Sequence, residues 1–130
     1  MDTFSLDTKI IDFGCAIECT SDKKFSTFSG TPEFAPPEVH RKSQYSPESS
    51  TVWTLAIVLS VLLFAEVPFC RNVDMLVGQR SNLDETNLTT SAIELLDGML
   101  CPDPSQRFKL DDILDSDWLK NAITDESSAS

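Results

Sequence analysis

The sequence predicts a mainly α-helical fold in which the other elements pack around one buried central helix. Residues 51–65 contain no charged residue, glycine or proline, and their apolar side chains cover the whole circumference of a helix. Residues 91–100 place apolar side chains at helical spacing. A strand pattern is confined to a short run around Ile10 and Ile11. With 130 residues, 41% of them hydrophobic, the chain can bury one ordinary core, which predicts one domain.

The N-terminal part predicts a short β strand followed by a long loop. Residues 5–13 place two β-branched isoleucines between polar residues, as short strands do. The strand is expected to end at Asp-Phe-Gly, where the carboxylate of Asp12 beside a glycine is a candidate metal ligand. By itself, such a sequence usually marks only a turn. Residues 15–29 are rich in Ser, Thr, Lys and Asp, which predicts a long and mobile loop.

The central helix is predicted to span about residues 50–65. Ser49 and Ser50 offer N-cap oxygens ahead of the apolar run, and Pro68 follows its end. A transmembrane helix is the competing interpretation. The apolar run is shorter than the roughly 18–20 residues that cross a bilayer, and no Lys/Arg cluster flanks it. A helix buried on all sides, with Leu59 and Leu62 in the core, is therefore favoured.

Further helices are predicted downstream. Residues 73–79 can form a short amphipathic helix, and Ser91 with Glu94 makes a capping box for the next helix. The polar residues 124–130 are predicted to form a disordered tail. The core-facing residues are expected to be Ile93, Leu96, Met99 and Leu100 in the capped helix, and Leu110, Ile113, Leu114, Trp118 and Leu119 in the last one.

The net charge and the cysteine content limit which classes of partner and which cellular location are expected. The formal net charge is −11, and residues 84–130 carry 11 acidic against 3 basic side chains, which argues against nucleic acid and membranes as partners. The four cysteines form no Cys-x-x-Cys pair and accompany one histidine, so reduced, separately buried thiols are expected rather than a zinc site. Met1 is followed by Asp2 rather than by a secretory signal. A cytoplasmic location is favoured, with the nucleus as the alternative.

Four motifs occur in the order found in protein kinases. Residues 30–38, Gly-Thr-Pro-Glu-Phe-Ala-Pro-Pro-Glu, resemble the end of a kinase activation segment, and their distance from the Asp-Phe-Gly at 12–14 also matches. Residues 51–56 are similar to the start of the long central helix of the kinase large lobe. Residues 67–69 resemble the Pro-Phe that follows that helix, and residues 104–108 the Pro-x-x-Arg before the last helix. The chain thus resembles the protein kinase family, of the serine/threonine type and most like the Pim-type kinases.

The resemblance implies a fold and a set of site residues. The fold is a kinase-like large-lobe helical subdomain, a partial kinase domain over residues 1–123 with its activation segment at 12–38. Asp12 would hold the Mg²⁺ that bridges the ATP phosphates. Glu38 and Arg107 would form a buried structural ion pair. The remaining implied residues would face the protein substrate (Gly30, Thr31 and Pro32) or be phosphorylation sites in the loop (Ser26, Thr27 and Ser29).

These 130 residues also depart from the family pattern. They contain no Gly-rich loop, no strand lysine and no His-Arg-Asp catalytic loop, and therefore no general base and nothing that cradles a nucleotide. Thr51 stands where most kinases have an aspartate, and Ala56 where most have a glycine. Because these residues lack the upstream elements of a kinase domain, apolar surface near Ile10, Phe13 and the central helix is expected to be exposed.

Two function hypotheses follow. The first is a protein Ser/Thr kinase that uses ATP and Mg²⁺, present here as a truncated domain that is inactive and binds neither cofactor alone. The second is a pseudokinase-like, non-enzymatic fragment that binds a protein substrate or a partner kinase through its activation segment and helical surfaces.

Overall fold

The computed structural model describes residues 7–69, 72–80 and 84–128, and this part of the chain is mainly helical, which confirms the predicted class. Two short 3-10 turns precede the helices, at Phe13–Cys15 and Pro32–Phe34. The helices are α1 (Pro37–His40), α2 (Pro47–Phe64), α3 (Asn72–Val77), α4 (Thr90–Met99), α5 (Leu110–Leu114) and α6 (Asp117–Ser128).

The strand expected over residues 5–13 is not formed over residues 7–12, which adopt no regular secondary structure. A β strand needs a neighbouring strand to accept and donate its backbone hydrogen bonds. In the described part of the chain the β-type pairing is a single antiparallel bridge between Phe25 and Tyr45. The two isoleucines therefore have a strand sequence without a sheet to join. Residues 5 and 6 lie outside the described residues.

The helix α2 is the predicted central helix, and it begins three residues before the predicted start. Ser46 is the N-cap residue and Pro47 occupies the first helical position, where its fixed φ suits a helix and its missing N–H costs nothing. Ser49 and Ser50, predicted as caps, lie within the first turn. The helix ends at Phe64, and Ala65 adopts a left-handed conformation whose amide donates to the carbonyl of Val61 at 2.9 Å.

Burial of α2 is one-sided, which corrects the expectation of burial on all sides. Its buried face consists of Val52, Trp53, Ala56, Ile57 and Ser60. On the opposite face Leu55 is 44%, Val58 48% and Leu62 77% exposed, so Leu62 is not a core residue and Leu59 is only half-buried. By length and composition alone α2 could cross a membrane, but the central helix of a soluble core has the same character.

The core is formed where α2 meets α4 and the chain around Phe69. The Trp53 and Phe69 rings stack with their centroids 5.3 Å apart and their planes 6° apart. Met75 of α3 and Leu95 and Met99 of α4 complete the cluster with Leu100, all of them buried. Stacked aromatic rings in a buried cluster contribute beyond their buried area, so this side of α2 is the anchor of the fold.

The cap of α4 lies two residues before the predicted capping box. Thr89 is the N-cap, and its hydroxyl accepts a hydrogen bond from the amide of Ala92 at 3.2 Å. Ser91 is already inside the first turn, where its hydroxyl lies 3.0 Å from that of Thr89. The predicted core residues Leu96, Met99 and Leu100 are buried, whereas Ile93 is only half-buried.

The C-terminal region differs from the prediction in two ways. It forms two helices, α5 and α6, and Leu110 and Leu114 are exposed, while Ile113 and Trp118 pack against the core. Residues 124–128, predicted as part of a disordered tail, continue α6. They contain no glycine or proline, and the hydroxyl of Thr124 donates to the carbonyl of Lys120 at 2.7 Å. The last two residues of the tail lie outside the described part.

The cysteines are less buried than expected. Cys15 and Cys19 are exposed, and Cys101 is half-buried; all three are free thiols. Cys70 lies outside the described residues.

Candidate functional site

The segment at residues 30–38 lies against the N-terminal half of α2 through a series of turns. Gly30 has a φ of +148°, a conformation that favours glycine. Pro32–Phe34 forms a 3-10 turn, and the carbonyl of Phe34 accepts a long hydrogen bond of 3.5 Å from the hydroxyl of Thr54. The following residues, Ala35, Pro36 and Pro37, are buried. Two prolines in succession restrict the backbone, so this segment reaches α1 along a defined path.

Glu38 and Arg107 form a buried bidentate ion pair. Arg107 Nη1 lies 2.7 Å from Glu38 Oε1, and Nη2 lies 2.8 Å from Oε2. The residues are 5% and 4% exposed. A planar guanidinium matches a carboxylate at two points, and lysine cannot reproduce this geometry. The pair joins the end of residues 12–38, the activation-like segment, to the loop between α4 and α5.

The Arg107 guanidinium makes further contacts that sequence reasoning did not reveal. Its Nη1 donates to the carbonyl and the hydroxyl of Ser49 at 2.9 and 3.1 Å, and its Nε donates to the carbonyl of Cys101 at 3.0 Å. The guanidinium also lies 5.0 Å from the centroid of the Trp53 ring, a cation–π contact. Arg107 therefore connects α1, the first turn of α2 and the end of α4 at one point. The sequence motif identifies the ion pair. It does not identify the bonds to the carbonyls of Ser49 and Cys101, because every residue carries a backbone carbonyl whatever its side chain.

Asp12, the candidate magnesium ligand, lies in a short exposed turn. It has a φ of +61°, and its Oδ1 accepts a long hydrogen bond of 3.4 Å from the amide of Gly14, so it acts as the cap of a short turn. Within the described ranges no cluster of three His, Cys, Asp or Glu side chains is suited to hold a metal ion. Mg²⁺ keeps several waters and takes one or two carboxylates together with substrate phosphates. Asp12 would supply one such carboxylate, with the remaining ligands coming from nucleotide phosphates and water.

An apolar cavity of about 530 Å³ lies between the loop at residues 15–29 and α2. Gly30 and Thr31, two of the three residues implied in substrate contact, line it, while Pro32 lies exposed in the next turn. Other walls come from Phe28, Phe34 and Leu55. The structure thus places Gly30 and Thr31 at a concave surface of the size that binding sites have.

Thr51 also lines this cavity, at the position where most kinases have an aspartate. Its hydroxyl donates to the carbonyl of Pro47, one helical turn earlier, at 2.8 Å. A hydroxyl bonded within its own helix cannot replace a charged acceptor. This departure from the family pattern is therefore a real chemical difference in the site.

The loop hydroxyls of Ser26, Thr27 and Ser29 are exposed. Tyr45, which the sequence did not single out, holds this part of the loop: its backbone pairs with Phe25 in both directions, and its hydroxyl donates to the carbonyl of Thr27 at 2.7 Å. Burial raises the pKa of Tyr45, which keeps the hydroxyl protonated as a donor. The candidate phosphorylation sites therefore lie on a loop that Tyr45 holds through its contacts with Phe25 and Thr27.

Comparison with known proteins agrees with the motifs. The family described as "Protein kinase domain" matches residues 2–119. Calcium-dependent protein kinase 20 of Oryza sativa subsp. japonica is 34% identical over 87% of this chain and 22% of its own length. Aurora kinase of Dictyostelium discoideum is 31% identical over 88% of this chain and 30% of its own length. The probable serine/threonine-protein kinase KCC4 of Saccharomyces cerevisiae is 34% identical over the whole chain and 13% of its own length.

The chain therefore spans less than a third of the length of each of these relatives. The match to the family covers far more than half of the chain, includes both residues of the buried ion pair, and follows the motif order of the sequence. The chain belongs to the protein kinase family.

Proposed function

We propose that these residues form the substrate-facing helical part of a serine/threonine protein kinase domain. The observation that carries the proposal is the Glu38–Arg107 pair, which fixes the end of the activation-like segment to the helices. Such anchoring matters because phosphoryl transfer depends on positioning more than on protein-derived covalent chemistry. The Gly-Thr-Pro sequence at Gly30 and the serine/threonine-protein kinase among the relatives support the substrate type. A cytoplasmic location is part of the proposal.

In this role the chain contributes positioning rather than chemistry. The cavity beside Gly30 and Thr31 offers a concave surface to a protein substrate. In the kinase family, ATP with Mg²⁺ supplies the phosphoryl group and neutralises its charge. The 130 residues contain no catalytic-loop base and no phosphate-cradling loop, and among the described residues Asp12 belongs to no group of three or more His, Cys, Asp or Glu side chains that could hold a metal ion. We therefore expect the chain alone to be inactive.

A transfer assay tests this proposal. Purified residues 1–130 are incubated with radiolabelled ATP, Mg²⁺ and a basic serine peptide, beside the Asp12→Asn variant and an intact protein kinase as a positive control. No incorporation above background is expected from either form of the chain, since the groups that hold the nucleotide are missing. Turnover that disappears in Asp12→Asn would contradict the proposal.

A second candidate is a non-enzymatic binding fragment, and the exposed apolar face of α2 favours it. Leu55, Val58 and Leu62 are exposed and recur at helical spacing on one face of α2, and residues 51–65 contain no charged side chain. Exposed apolar surface of this kind marks interaction sites. The partner would be a protein substrate or a partner kinase.

Binding of the chain to an array of serine- and threonine-containing peptides without ATP tests this second function. Binding that is weakened by Leu55→Ser but not by Leu114→Ser, an exposed leucine on α5, is the expected result. Equal binding by all three forms of the chain would show that the α2 face is not involved.

A further inference from the structure

Two thiols border the cavity beside α2. Cys15 is the last residue of the first 3-10 turn, and Cys19 follows four positions later. Both side chains are exposed, and both residues line the cavity of about 530 Å³ that Gly30 and Thr31 also line. Two accessible thiols that border one cavity are chemically different from a pair of buried structural cysteines, because an oxidant and a partner thiol can both reach them.

The backbone between the two cysteines is free to bend. The amide of Ala16 donates to the carbonyl of Phe13 at 3.0 Å, but residues 17–19 make no hydrogen bond to any other described part of the chain. Ile17 between them is 54% exposed and packs in no enclosed core. A disulfide requires Cα atoms about 4.4–6.8 Å apart. Because residues 17–19 make no such hydrogen bond and Ile17 is exposed, closing a disulfide across them breaks no hydrogen bond there and opens no packed cluster.

We propose that Cys15 and Cys19 form a reversible dithiol–disulfide pair that reshapes the cavity when it is oxidised. The oxidant class is a peroxide, with hydrogen peroxide as the simplest case. One thiol loses its proton, and the thiolate attacks a peroxide oxygen, so that an S–O bond forms as the O–O bond breaks. A sulfenic acid and hydroxide result, and the hydroxide takes up the released thiol proton to become water. The second thiol sulfur then attacks the sulfenic sulfur, the S–S bond forms, and a second water leaves.

The reaction is balanced, since two thiols are oxidised, one peroxide is reduced, and both thiol protons end in water. A dithiol such as dithiothreitol reverses it by thiol–disulfide exchange. The disulfide closes a five-residue ring (Cys15 to Cys19) and so constrains a segment that lines the same cavity as Gly30 and Thr31. Oxidation would thus change the shape of the cavity that Gly30 and Thr31 line.

The test is peptide mapping of the oxidised full chain. Reduced protein is treated with one equivalent of hydrogen peroxide, blocked with N-ethylmaleimide and cleaved after glutamate. Cleavage after Glu18 separates the two cysteines in sequence. The expected product is a pair of peptides that stay joined through Cys15 and Cys19, lack two hydrogens, carry no maleimide, and separate when dithiothreitol is added.

Single substitutions decide whether the pair is specific. Cys15→Ser and Cys19→Ser should each abolish the joined peptides, and both positions are exposed, so circular dichroism is expected to show an unchanged fold. Cys101→Ser, at a half-buried thiol, is the matched control and should leave the cross-link intact. A link from Cys15 or Cys19 to another cysteine, links between two chains, sulfenic or sulfinic acid without a cross-link, or no oxidation would each overturn the proposal.

Discussion

At the scale of single residues, Arg107 shows how one side chain organises the molecule. It pairs with Glu38 through two hydrogen bonds, donates to Ser49 and Cys101, and lies over the Trp53 ring. Every branch of the guanidinium has a partner, which compensates the cost of burying the charge. The pair is 69 positions apart in sequence, so it joins elements that have no local reason to meet.

A double-mutant cycle measures this coupling. Glu38→Gln or Arg107→Met alone should lower the free energy of unfolding by about 3–5 kcal/mol, because each leaves a buried charge without its counter-ion. The double variant should lose clearly less than the sum. Urea unfolding of the four proteins is the measurement, and additive losses would show that the two side chains are not coupled. As a control, Lys120→Ala removes an exposed pair with Asp115 at 3.7 Å and should change stability by about 0–1 kcal/mol.

Gly98 gives a second prediction at this scale. In a helix interior, Gly→Ala usually stabilises by about 0.5–1 kcal/mol. Here an added Cβ would overlap the ring of Phe108, which packs against the core. Gly98→Ala should therefore lower the melting temperature, because overpacking costs about 1–3 kcal/mol. In a Phe108→Ala background the same change should become stabilising, and destabilisation of equal size there would contradict the steric explanation.

At the scale of elements, the two faces of α2 should respond differently to the same kind of change. Ile57 is 2% exposed, and Ile57→Ala should cost about 2–5 kcal/mol through lost contacts and a cavity. Leu62→Ala lies in the same helix, but at an exposed position, and should change stability by no more than about 0.5 kcal/mol. Chemical unfolding of both variants tests this, and similar losses would mean that the outer face is also enclosed.

The loop at residues 16–29 is the second element with a testable property. Its described hydrogen bonds are few, and the backbone pairing of Phe25 with Tyr45 is its main fixed point. Amide exchange should be fast at residues 17–19 and slower at Phe25, while the buried face of α2 should be the most protected. Exchange measured by mass spectrometry decides it, and protection at residues 17–19 as strong as in α2 would refute the prediction.

At the scale of the whole molecule, exposed apolar surface is the dominant property. Ile10 and Phe13 are exposed in the N-terminal segment, as the sequence predicted, and so is Ile11; the outer face of α2 adds Leu55 and Leu62. Such surface favours association, whereas a net charge of −11 opposes self-association. Apolar surface on a chain with a large net negative charge favours a partner of different composition over a second copy.

Binding of the dye ANS to the native chain tests that property. Fluorescence enhancement without denaturant is expected, and the double variant Leu55→Ser/Leu62→Ser should reduce it without lowering the melting temperature, since neither side chain is buried. Dye binding that is unchanged in this variant would place the accessible apolar surface elsewhere. The Ile57→Ala variant is the control for dye binding that comes from partial unfolding.

The sequence by itself determined the helical class, the existence of α2 and, through motifs, the meeting of Glu38 with Arg107. These rest on local signals: a long uncharged run, helical spacing, and a motif order shared with a family. The tertiary structure alone decided which face of α2 is buried, because a run that is apolar all round contains no preferred side, and the packing of α3, α4 and Phe69 buries one side of it. It also decided that Ile10 and Ile11 form no strand in the described chain, because a strand depends on a distant partner rather than on its own residues.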